Sequence, residues 1–167
     1  VRETDNFMLY VSNNDERRHL AAYVIDRRRT FDEEIDGSVL NNPDFIVFDL
    51  DPYIYSGKEK QGDEPELNRR AFSKTVEVAL ELKDILDQLS LSSFVKTSGK
   101  TGLHIYVPVL RQYSYRIARK TCETIGRFLM QNRPQEVTMD WAVNKRSGKI
   151  FLDHNMNVRG KNMASIF

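Results

Sequence analysis

Cysteine is almost missing from this chain of 167 residues. Cys122 stands alone, which excludes an internal disulfide and a cysteine-built zinc cage and makes a reducing cytoplasm the expected compartment. Its setting in a helical stretch marks it as a small core residue rather than a nucleophile. Long apolar runs are missing as well, so no membrane span is expected, and no charged-then-apolar signal segment opens the sequence. An excess of one charge sign is also missing: the formal net charge is +1. The distribution is uneven, however. Residues 111–167 hold eleven Lys or Arg against four acids, while the first 110 residues are net acidic. A cationic half beside carboxylates suits a protein that handles polyphosphate or a nucleic-acid backbone, although solvated helix faces collect such charges too.

What is present centres on Phe45-Ile46-Val47-Phe48-Asp49-Leu50-Asp51-Pro52. This short run of aromatic and β-branched residues between two prolines reads as a buried strand. Side chains alternate along a strand, so Asp49 and Asp51 share one face and Phe48 and Leu50 the other. Two anions so close ask for a divalent metal, a strong charge partner or a shared proton. The plain alternative is a strand end where Asp-x-Asp-Pro starts a turn.

Around that strand the elements fall in order. Residues 7–12 read as a strand and 15–29 as a helix, ending in Arg27-Arg28-Arg29, a solvated end or a phosphate-contacting patch. Residues 53–65 form a polar loop. Phe72, Val76, Ala79, Leu82, Leu86 and Leu89 recur at helical spacing over about 66–89. Residues 93–97 and 103–109 form a hairpin around Ser98-Gly99-Lys100-Thr101-Gly102. Ser114 caps a helix to about 131, with Ile117, Thr121, Ile125, Phe128 and Leu129 inward. Residues 137–139 and 149–153 are strands, and Trp141 between them is read as a packing residue.

The order β, α, β, β, α, β predicts an α+β fold of the split β-α-β (RRM-like) type, an antiparallel sheet with both helices on one face. Its first strand is central, which brings Asp49 and Asp51 near His104 and beside Asp153 on the helix-free face. Three carboxylates beside a glycine-bounded loop and a histidine suggest two-metal phosphoryl or nucleotidyl transfer. Backbone amides of residues 98–102 would cradle phosphates, Lys100 would add a point charge, and His104 would be a further phosphate contact. An ordinary hairpin turn is the competing reading of the loop. The loop is not a Walker A motif, because Phe94 stands where that motif needs its first glycine.

Three stretches together resemble the polymerase domain of bacterial and archaeal end-joining DNA ligases, within the archaeo-eukaryotic primase superfamily. They are Phe48-Asp49-Leu50-Asp51-Pro52, Lys96-Thr97-Ser98-Gly99-Lys100-Thr101-Gly102-Leu103-His104, and Lys149-Ile150-Phe151-Leu152-Asp153 followed by Asn157, Arg159 and Gly160. The resemblance covers about 42–160. It implies a primase-polymerase core: a nucleotidyltransferase that uses manganese or magnesium to add nucleotides from nucleoside triphosphates to DNA ends in non-homologous end joining. A DNA ligase and an end-binding protein are the implied partners.

Carried over by position, Asp49, Asp51 and Asp153 bind metal and carry catalysis. Ser98, Gly99, Lys100 and His104 hold the triphosphate, and Arg146 lies near the nucleotide. Thr101 stands where the family usually has Lys, and Met156 where it usually has Gln. DNA-contacting candidates are Lys145, Arg159 and Lys161, which flank Asp153. The chain is expected to be one domain over 1–167, incomplete relative to the family, with its core at about 42–160.

Two alternatives belong to other classes. One is a truncated module that only binds nucleic acid or a ligase. The other is a haloacid-dehalogenase-type phosphatase, whose strand also ends in Asp-x-Asp. The phosphatase pattern also needs a late acidic pair, and no Asp-Asp occurs here.

Overall fold

In the computed structural model the described residues are 42–54, 60 and 67–161. They belong to one compact unit spanning Asn42–Ala164. The strand and helix expected before Pro43, the Arg27–Arg29 run and most of the 53–65 loop lie outside the described residues.

The elements are β1 (Phe45–Pro52), α1 (Arg69–Gln88), β2 (Phe94–Thr97), β3 (Leu103–Pro108), α2 (Tyr115–Asn132), β4 (Val137–Thr138) and β5 (Ile150–Asp153). They form a five-stranded sheet in the order β2-β3-β1-β5-β4. β1 is antiparallel to both its neighbours, β3 and β5. This is the expected split β-α-β arrangement, and the strand expected at 137–139 is the two-residue β4, which runs parallel to β5 at the edge rather than antiparallel.

Strand alternation divides β1 into two faces. Ile46, Phe48 and Leu50 enter the core with Leu103, Ile105 and Val107 of β3 and Ile150 and Leu152 of β5. Val78, Leu82, Ile85 and Leu86 of α1 and Ala118, Cys122, Ile125 and Leu129 of α2 cover that face. Both helices therefore sit on one side, and the face with the carboxylates is turned away from them.

α1 begins where Asn68 offers its side-chain oxygen to the backbone N–H groups of Arg70 and Ala71, at 3.0 and 3.2 Å. Such a cap stabilises a helix by about 1 kcal/mol. Leu89, read from spacing as the last inward residue, is the C-cap and is exposed.

α2 departs further from the expected stripe. Ile117 and Phe128 are exposed, and the buried positions are Ala118, Cys122, Ile125, Gly126 and Leu129. Small residues four apart let the helix axis approach the sheet. A Cβ on Gly126 would lie 3.1 Å from both Leu152 and Met139, and Cys122 Sγ reaches the carbonyl oxygen of Val47 at 3.4 Å. Cys122 is thus the small core residue anticipated, and burial pushes its thiol pKa up. Bulk is the usual guide to which helical face packs, and here close approach selected the smaller side chains instead.

Candidate active site

The register of the sheet builds the site. Asp49 lies directly opposite His104 on one side and Asp153 on the other, and Lys96 of β2 lies opposite His104. Partners in register point to the same face, so Lys96, His104, Asp49 and Asp153 form a row across four strands. Asp51 stands two residues along β1, opposite Phe151. The three carboxylates and the histidine named from the sequence are therefore brought together.

Asp49 is the most constrained member. It is buried, and its Oδ1 has no hydrogen-bond partner. His104 Nε2 lies 3.4 Å away but is poorly aligned for a hydrogen bond. Burial, followed by the charges of Asp51 and Asp153, pushes the Asp49 pKa up from 3.8 to about 8. His104 is held below the usual histidine range by burial and by the Lys96 charge, which favours the neutral imidazole. Its Nδ1 faces the Tyr106 hydroxyl at 3.4 Å. The phenol pKa of Tyr106 is in turn raised by burial and by Asp49.

The tension lies at Asp49, a buried carboxylate beside two others. Among the described residues, no three His, Cys, Asp or Glu side chains form a ready cage for a metal ion. The donor set still suits a hard cation. Magnesium in particular is held by one or two carboxylates with the rest of its shell from water and substrate phosphate, and an orphaned carboxylate oxygen beside two further anions is such a partial shell.

The loop between β2 and β3 closes on itself. Ser98 N–H donates to the Gly102 carbonyl at 2.9 Å, and Ser98 Oγ accepts from the N–H of Gly102 at 3.0 Å and of Lys100 at 3.4 Å. Two of the amides expected to cradle phosphate are thus turned to the Ser98 hydroxyl. Gly99 adopts φ +92°, the left-handed region that glycine tolerates. Gly102 is required for a different reason: a Cβ there would lie 2.2 Å from the Leu50 carbonyl oxygen and 2.8 Å from Asp51 Oδ1. The loop is packed directly against the carboxylate end of β1. Lys100 is exposed at its tip.

Arg146 is buried on the same side of the sheet. Its Nε donates to the Asp140 carbonyl at 2.9 Å, and its two terminal nitrogens donate to the Trp141 carbonyl and the Tyr53 hydroxyl, at 2.5 and 3.1 Å. The guanidinium carbon lies 3.4 Å from the centroid of Phe151, the residue opposite Asp51. Arg146 therefore adjoins the carboxylates while anchoring the 140–146 turn. Trp141 is not the packing residue read from the sequence, for it is 64% exposed.

Lys145 is exposed, 3.9 Å from Asp140. Arg159 and Lys161 are exposed beyond the short 3-10 turn His154–Met156 that follows Asp153.

Three contributors were given no role from the sequence, although Lys96 and Asn157 stand within the stretches that carry the resemblance. Lys96 was legible in principle, because a five-residue loop centred on Lys100 pairs Lys96 with His104. Tyr106 follows from the same alternation. Asn157 had no local signal: its side chain pairs with the backbone of Val47, accepting from N–H at 2.8 Å and donating to C=O at 2.7 Å, in place of a further β5 residue.

Known proteins resemble this chain over most of its length. The model of the LigD primase-polymerase domain matches residues 27–167. The multifunctional non-homologous end joining protein LigD of Pseudomonas aeruginosa is 30% identical over 128 residues, covering 77% of this chain and 14% of the relative. Its counterpart in Mycolicibacterium smegmatis is 33% identical over 116 residues, 70% of this chain and 13% of the relative. The chain thus spans a small part of the length of the relatives it matches. Among solved structures, the polymerase domain of Mycobacterium tuberculosis Ligase D in complex with DNA superposes with a TM-score of 0.59 at 28% identity, over 73% of this chain and 38% of that one.

Proposed function

The chain belongs to the LigD primase-polymerase domain family, and from that premise we propose that it is a divalent-metal-dependent nucleotidyltransferase that adds nucleotides to DNA ends in non-homologous end joining. The observation that carries the proposal is the register: Asp49 sits opposite both Asp153 and His104, with Asp51 on the same face and the glycine loop packed against it.

Asp49, Asp51 and Asp153 would hold manganese or magnesium, which, when bound, activates an attacking hydroxyl and neutralises charge on the transferring phosphate. The protein's own groups supply the rest. Burial of Asp49 strengthens its attraction for any cation that displaces its proton. Remaining amides of residues 98–102 and the Lys100 ammonium would take the triphosphate, with Ser98 exchanging its internal hydrogen bonds for phosphate oxygens. His104, neutral and beside Asp49, offers an N–H donor toward the same region. Arg146 keeps the 140–146 turn beside Asp51 and the nucleotide. Exposed Lys145, Arg159 and Lys161 are the candidates for the DNA backbone, and a DNA ligase and an end-binding protein remain the proposed partners. The phosphatase alternative gives way to the family assignment.

The test is primer extension with manganese or magnesium and each nucleoside triphosphate. Asp51→Asn should abolish extension while leaving the far-UV circular dichroism and the thermal midpoint at or above the wild-type values, because the change relieves like-charge repulsion. Extension by Asp51→Asn at the wild-type rate would sink the assignment. DNA binding without extension by the wild type would favour the non-catalytic binding module.

A further inference from the structure

The turn between β4 and β5 displays an aromatic ring where packing alone would hide one. Trp141 is 64% exposed and Val143, beside it, is also exposed. The backbone beneath is firmly held. Arg146 binds the carbonyls of both Asp140 and Trp141, and the N–H groups of Lys145 and Arg146 close onto Ala142 and Val143. The segment after the turn is tied to the residue that follows β1: Tyr53 N–H donates to the Lys149 carbonyl and Tyr53 C=O accepts from Gly148 N–H, both at 2.8 Å.

The ring itself is braced. The Arg146 guanidinium lies over it at 5.3 Å from the centroid, and Phe151 meets it edge-on at 6.3 Å. Phe151 is the residue opposite Asp51, so the indole stands one side chain away from the carboxylate face. Exposed Lys145 belongs to the same turn, partly offset by Asp140 at 3.9 Å.

We propose that Trp141 is a stacking platform for an unpaired nucleobase of a single DNA strand passing the carboxylate face. This rests on the nucleotidyltransferase reading for its ligand class and adds the position that grips the strand. The shape argues for a strand rather than a free nucleotide. Small ligands take enclosed, mostly buried pockets, whereas sequence-neutral strand binding uses exposed aromatic rings flanked by cations. A guanidinium behind the indole stiffens it, so little side-chain freedom is lost when a base lands on it.

The chain contains a single tryptophan, so its emission reports this position alone. The 167-residue chain is titrated with fluorescein-labelled oligo-dT of about a dozen nucleotides, without metal or triphosphate, and anisotropy and tryptophan emission are read in parallel. Emission should be quenched with the same midpoint as the anisotropy change. Trp141→Ala should weaken binding by about five- to a hundredfold, the effect of losing one base–aromatic stack, with the salt slope unchanged because no phosphate contact is removed. Trp141→Phe should stay within about threefold of wild type, since a phenyl ring still stacks. UTP alone should leave the emission unchanged.

Oligonucleotide binding that neither quenches Trp141 nor weakens in Trp141→Ala overturns the inference while leaving the nucleotidyltransferase reading intact. Quenching by UTP but not by oligo-dT overturns it in favour of a mononucleotide site. Absence of oligonucleotide binding overturns it as well. Quenching and weakening as expected, in a protein that extends no primer, sustains the platform and removes the enzymatic reading.

Discussion

Asp49 concentrates the electrostatic tension of the molecule in one side chain. Burial and two neighbouring carboxylates lift its pKa from 3.8 to about 8, so between those values the folded protein binds a proton that the unfolded chain has released. Stability must then fall as pH rises from about 4 to about 8 and level off above. Urea unfolding in the presence of a chelator should show this slope, and Asp49→Asn should flatten it and gain at least ~1 kcal/mol at pH 8, the worth of roughly one pKa unit. An Asp49→Asn variant that keeps the wild-type pH slope would show that another group is responsible. Manganese should stabilise the wild type more at pH 8 than at pH 5, because a cation competes with the proton for the same oxygens. Arg146 gives the opposite lesson. Its cationic side chain was assigned to the nucleotide from the sequence, and it is tied to two carbonyls, a phenol and an aromatic face. We propose that any role it has near the nucleotide is exercised through the turn it holds.

The hairpin loop and the end of β5 are the elements that set the distance between these residues. Gly102 leaves no room for a methyl group against the Leu50 carbonyl and Asp51. Gly102→Ala should therefore destabilise by about 1–3 kcal/mol, the usual effect of forcing extra volume into a packed site. Primer extension should suffer more than stability accounts for, since Asp51 must move. Gly99→Ala, by contrast, meets nothing within 4 Å, and its cost is confined to the positive φ at about 1–2 kcal/mol. Comparing the two variants by chemical denaturation and by extension rate separates a conformational effect from displacement of the carboxylate, and equal activity losses at equal stability would contradict the assignment. Asn157 acts at the other end. Asn157→Ala leaves the Val47 N–H without a partner in the buried ladder, a loss of about 1–3 kcal/mol, and frees the turn after Asp153. Hydrogen exchange should report faster exchange at Val47, and an unchanged rate would mean that neighbouring residues take over.

At the scale of the molecule the charge gradient is the remaining question. If Lys145, Arg159 and Lys161 meet the DNA backbone, affinity for duplex should fall with salt by about 0.9 log units per log unit for each phosphate neutralised. Arg159→Ala combined with Lys161→Ala should reduce that slope by close to two contacts. A slope that does not move would show that the basic half of the chain serves solubility. On α2, Arg119, Lys120 and Arg127 belong to the helix-covered side of the sheet, and Lys120 and Arg127 pair with Glu123. They provide the internal control, because removing them should leave the slope alone. Among the described residues no helix is long and apolar enough to cross a membrane.

Among the described residues, strand and helix identity, the hairpin, the central place of β1 and the gathering of Asp49, Asp51, His104 and Asp153 followed from the sequence alone. They rest on short-range rules: period-two alternation, helical spacing and the few orders in which such elements form one sheet. Only the tertiary structure decided which face of α2 packs, because closeness to the sheet favours Ala118, Cys122 and Gly126 over Ile117 and Phe128, and that depends on a partner surface absent from the helix itself. The same holds for Arg146, enclosed by Tyr53, Trp141 and Phe151, and for Asn157, whose amide pairs with a strand residue 110 positions away in sequence. The charge of a residue can be read from the chain, but its burial and its neighbours, which determine whether Asp49 keeps a proton or Trp141 meets solvent, exist only once the sheet has brought distant segments into register.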